Sequence, residues 1–85
     1  MEFTATPEFI ERYERLDDGA AECIDRAIRR IVDDPSSAWA RQNRVVGELG
    51  VAWLVWLRCP REDFGLYWWQ TEPTEPVQLL LLFSR

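Results

Sequence analysis

Apolar residues recur along the first third of the chain at helical spacing, and along the last third they fill nearly every position. Thr6-Pro7-Glu8 has the features of a helix start: a capping hydroxyl, a proline at the first helical position and an acid at the positive end of the dipole. Phe9, Ile10, Tyr13 and Leu16 then form one stripe, and Glu8/Arg12 and Glu11/Arg15 pair across a turn on the wet side. Asp17-Asp18-Gly19 breaks this helix. A second helix is predicted from about Gly19 to Asp33, with Ala21, Ile24, Ala27, Ile28, Ile31 and Val32 inward and Asp34-Pro35 as its stop. The two helices make a hairpin. Residues 35–50 read as irregular, with a helical turn around Ala38-Trp39-Ala40 and a turn bracketed by Gly47 and Gly50. Glu2 to Ala5 reads as a short opening strand.

The C-terminal runs Trp53–Leu57, Phe64–Trp69 and Val77–Phe83 have the length and residue types of strands, separated by proline-containing links. Side chains on a strand alternate between faces, so a sheet with one wet face should alternate apolar and polar residues. These runs do not. The chain therefore predicts an α+β fold with a short N-terminal strand, a helical hairpin and a three-stranded antiparallel meander, the helices packed on one sheet face. Alternation assigns Trp53, Val55, Leu57, Phe64, Leu66, Trp68, Val77, Leu79, Leu81 and Phe83 to the helix side. Ala52, Leu54, Trp56, Gly65, Tyr67, Trp69, Gln78, Leu80 and Leu82 fall on the other.

Composition narrows the function classes. At 85 residues, 47% of them hydrophobic, the chain reads as one domain over 1–85 with enough apolar content for a core. Ten arginines, no lysine and fifteen acids give a net charge of −5, which opposes RNA or DNA as the main partner. No membrane-length apolar run and no secretory leader are visible, so a cytoplasmic address is expected. Cys23 and Cys59 fit no metal-ligand spacing and there is no histidine, so neither a metal nor a cofactor is expected. The two cysteines read as bland thiols, with a disulfide or redox role as the alternative.

The order of elements, with the signals Phe9…Leu16-Asp17…Ile24…Ala27-Ile28…Ile31…Asp34-Pro35…Arg44-Val45-Val46-Gly47…Leu57-Arg58…Phe64-Gly65-Leu66-Tyr67…Leu80-Leu81-Leu82-Phe83-Ser84-Arg85, resembles the RelE/ParE superfamily of bacterial toxins. The resemblance implies a protein that pairs with an antitoxin and that either cleaves mRNA on the ribosome or poisons gyrase. RelE-type ribonucleases carry basic side chains on the solvent face of the first long strand, where this chain has Leu54 and Trp56. They carry an arginine after the aromatic that opens the next strand, where Gly65 follows Phe64. Arg85 matches the arginine that ends the last strand, and Arg44 and Arg58 match positions that are often basic. The family's following tyrosine would lie beyond Arg85, where the sequence ends.

RNA cleavage needs a base, an acid and cations for the developing phosphate charge. Without histidine or lysine, the acid–base work would fall to Glu, Asp, Tyr or Cys. Glu48, Glu62 and Asp63 flank strands and read as solvated turn charges. The expectation is therefore a toxin-family protein that lacks the mRNA-interferase residues and acts through protein–protein binding. Leu54, Trp56, Tyr67, Trp69, Leu80 and Leu82 would form the partner-binding face, for an antitoxin or a second copy. Covering roughly 500 Å² of such surface is worth on the order of 10 kcal/mol before association costs. The rivals are an active toxin using Arg44, Arg58, Arg61 and Arg85, and a homodimeric structural or regulatory subunit. A different outcome would follow if residues 35–50, with Trp39, folded over the second face.

Overall fold

The computed structural model describes residues 3–48 and 50–85, so Glu2 of the expected opening strand lies outside them. The elements are β1 (Phe3–Ala5), α1 (Pro7–Glu14), α2 (Asp18–Asp33), β2 (Asn43–Gly47), β3 (Gly50–Arg58), β4 (Asp63–Trp69) and β5 (Val77–Ser84). They form an α+β structure with two helices and one mixed five-stranded sheet, ordered β1-β5-β4-β3-β2. β1 lies parallel to β5, and the remaining pairs are antiparallel.

Both helix starts follow from their caps. The Thr6 hydroxyl accepts the Phe9 N–H at 3.2 Å, and the Asp17 carboxylate accepts the Ala20 N–H at 2.8 Å. Each cap satisfies an amide that the first turn of a helix leaves without a partner. Phe9, Ile24, Ala27, Ile28 and Ile31 then bury against Val55, Leu57, Phe64, Leu66, Trp68, Val77 and Leu79 on the sheet.

The segment expected to be irregular contributes more than a turn. Asn43–Gly47 is a strand, paired with β3 from Asn43↔Leu54 to Gly47↔Gly50, which raises the strand count beyond the expected meander. The preceding stretch folds back on the helical side. There Ala40 is fully buried, Trp39 packs against the core, and the Trp68 indole N–H donates to the Ala40 carbonyl at 2.9 Å.

Two further expectations change. Cys23 and Cys59 are joined in a disulfide, with Cα atoms 5.8 Å apart, which ties α2 to the turn after β3. The bland-thiol reading fails because helix packing brings two residues distant in sequence within bridging distance. The second change is in β5. The register runs Trp68↔Leu79 and then Tyr67↔Leu81, so Leu80 is an extra residue in a β-bulge. Past the bulge every side chain changes face. Leu82, expected outward, is 2% exposed and belongs to the helix-side core. Leu81 and Phe83, expected inward, lie on the open face.

Candidate functional site: the open sheet face

The helices and residues 39–40 pack on one side of the sheet, and the other side is left to solvent. Register places the open-face side chains in rows. The first row is Trp56, Gly65 and Phe83, and the second is Leu54, Tyr67 and Leu81. Trp69 and Gln78 stand side by side further along, with the Trp69 indole N–H donating to the Gln78 side-chain carbonyl at 2.8 Å. Trp56 is 36% exposed and Leu81 is 41% exposed, while Tyr67, Trp69, Leu80 and Phe83 are partly buried. Leu54 belongs to this face by alternation but is only 8% exposed beneath its neighbours. It supports the surface more than it offers contact.

Gly65 shapes the first row. The Phe83 ring lies over it so closely that a Cβ at this position would collide with the ring. The ring can then meet Trp56 edge-on at 5.7 Å and Tyr67 at 5.6 Å between centroids, distances typical of favourable aromatic pairs. Here the chain uses the lack of a side chain to seat an aromatic ring. A shallow recess of about 620 Å³ opens at the other end of the face, between Val45, Gly47, Glu48, Ala52, Trp69 and Leu80.

The candidate catalytic arginines do not converge into one site. Arg44 is the cross-strand partner of Trp53, on the helix side of the edge strand. Arg61 lies in the turn after β3, beside Cys59 and Glu62. Arg58 and Arg85 share a corner: Arg58 pairs in register with Asp63, and the Arg85 N–H donates to the Asp63 carbonyl at 2.8 Å. The Arg85 guanidinium stands 4.6 Å from the Trp56 ring centre, a cation–π contact. Of the flanking acids, Glu62 faces Arg12 at 3.8 Å and Glu48 sits at the opposite end of the sheet.

Tyr13 is a titratable side chain with a shifted pKa. Its hydroxyl donates to Asp25 at 2.7 Å, and that hydrogen bond, with burial and the nearby negative charge, pushes the phenol above its ordinary value. It belongs to the helical layer, where it lines a recess with Phe3, Ala5, Phe9, Ile10 and Ile28. Among the described residues no cluster of histidine, cysteine or carboxylate side chains could hold a metal ion.

Sequence reasoning missed Leu81 and Phe83, two of the six accessible aromatic and aliphatic side chains of this face. No signal could have exposed them. Four consecutive leucines at 79–82 look the same in either register. No protein-family model, no curated protein and no solved structure matches the chain. Among the described residues no helix is long and apolar enough to cross a membrane.

Proposed function

We propose that this chain is a RelE/ParE-like protein in which the sheet face used for catalysis in ribonuclease relatives serves as a docking surface for protein. One observation carries this reading. Trp56 is exposed in the row of partly buried Phe83 and Leu81 in the row of partly buried Tyr67, with Trp69 and Leu80 further along, on a face that no helix covers. Contiguous apolar surface of this kind, when it is the largest on a chain, is often an interaction site. Exposed aromatics over a packed base are also the residue types that dominate binding energy in interfaces. The helical hairpin followed by antiparallel β3–β4–β5 agrees with the layout the resemblance implies. The proposed binding set is Trp56, Tyr67, Trp69, Leu80, Leu81 and Phe83, with Leu54 beneath it and Leu82 removed.

The cytoplasmic address belongs to this proposal, and the disulfide pulls against it, since such bridges persist in oxidising compartments and are rare in the cytosol. The active-toxin rival draws on the corner where Arg58 and Arg85 flank Asp63.

Inducible expression, alone and with the product of any adjacent small gene, separates the two. Docking predicts a stable association, with itself or the co-expressed product, that Trp56→Asp abolishes while the circular dichroism of the fold is kept. Growth arrest relieved by Arg85→Ala, with association unaffected by Trp56→Asp, would favour the enzyme.

A further inference from the structure

Charge is unevenly divided along this chain. Residues 1–34 hold ten acids against five arginines, while residues 35–85 hold five of each. The whole net charge of −5 therefore sits in the segment bearing the helices, and the segment bearing β2 to β5 is neutral. Strand direction then gives the sheet two unlike ends. Where β2 turns into β3 and β4 into β5, the charged residues are Glu48, Glu72 and Glu75. Where β3 turns into β4 and β5 finishes, Arg58, Arg61 and Arg85 outnumber Glu62 and Asp63, and Glu62 already faces Arg12. Among the described residues, none of Glu48, Glu72, Glu75, Arg58 or Arg85 makes a salt bridge within the chain.

We infer that the occupant of the open face is a second copy of this chain, packed face to face with its strands running opposite to the first. The inference rests on the docking reading and names its partner. A twofold axis relating two stacked sheets lies in the plane between them. An axis along the strands brings like ends together and sets the three glutamates of one copy against those of the other. An axis across the strands brings unlike ends together. Glu72 and Glu75 of each copy then approach Arg58 and Arg85 of the other, and symmetry makes the pairing twice. Charge selects the second arrangement.

Size and distance agree with it. Strands about 4.8 Å apart rising about 3.3 Å per residue give this sheet a face of about 500 Å². Two copies would bury about 1,000 Å², the lower limit for a specific interface. Sheets stack about 10 Å apart with their strands nearly aligned, so the acidic helical layers end up on opposite outer sides. Separation of that order exceeds the roughly 8 Å over which salt leaves exposed charges coupled.

Light scattering over a concentration series tests the arrangement with two charge-reversed chains, Arg58→Glu with Arg85→Glu, and Glu72→Arg with Glu75→Arg. The natural chain is expected to dimerise, and each reversed chain to self-associate about 100-fold more weakly, because like charges now meet. Mixed in equal amounts, the two reversed chains should form a one-to-one heterodimer, which also shows that both are folded. Reversed chains that dimerise like the natural one, with no preference on mixing, would overturn the arrangement. If Leu81→Asp still abolished that dimer, docking would stand. A monomeric natural chain would overturn the second copy as occupant and leave docking of a different protein to the co-expression experiment.

Discussion

Trp68 and Trp56 occupy opposite faces of the same sheet and answer the same physical demand differently. The Trp68 ring has no exposed surface, packs 6.5 Å from Trp53, and gives its indole proton to the Ala40 carbonyl. Trp56 keeps 36% of its surface in water, with Phe83 at its edge and the Arg85 cation over its ring. A buried indole needs an internal acceptor, because an unmade hydrogen bond in the core costs about 1–3 kcal/mol. An indole at the surface needs none, and its ring remains available to something else. The pair shows that the same residue type, at strand positions of equal hydrophobicity, can serve either the core or an open face.

The sharpest way to break this contrast is to truncate both rings. Trp68→Ala should lose about 4–5 kcal/mol in urea unfolding, with Trp56→Ala below about 1 kcal/mol. Similar losses would mean that the two faces are equally covered. Next in size is the bridge that holds the helical layer down. Replacing Cys23 and Cys59 with alanine should remove about 3–4 kcal/mol, by the loop-closure entropy expected for the observed separation of 36 residues. Adding reductant to the natural chain should lower its melting temperature in the same direction, and no change would mean that the bridge constrains little. The smallest effect concerns the open side. Gly65→Val should cost about 1–2 kcal/mol by displacing the Phe83 ring, with a blue or red shift in Trp56 emission as its edge contact is lost. An unchanged emission spectrum would show that Phe83 does not depend on the gap above Gly65.

Much of the covered side was legible in the sequence. The stripe Phe9…Ile24…Ala27-Ile28…Ile31 and the strand positions Val55, Leu57, Phe64, Leu66, Trp68, Val77 and Leu79 follow from periods of 3.6 and 2. They bury together as that pattern implies. What escaped was long-range. β2 has little apolar content of its own and becomes a strand by pairing with β3. The disulfide depends on how α2 lies over the sheet. The bulge inserts one residue where the neighbours are all leucine, so hydrophobic pattern gives no warning. The open face was recognisable as an unbalanced surplus of apolar residues, yet its membership was wrong past Leu80.

That irregularity is fastened from the helical side. The Thr6 hydroxyl, while capping α1, donates to the Leu80 carbonyl at 2.6 Å, and the Thr6 N–H donates to the Leu79 carbonyl at 3.0 Å. The first turn of a helix is thus clipped to the point where a strand slips its count. Any visitor that tugged on Leu81 or Phe83 would be pulling on the anchor of α1 as well, so occupancy outside could be felt as loosening or tightening within.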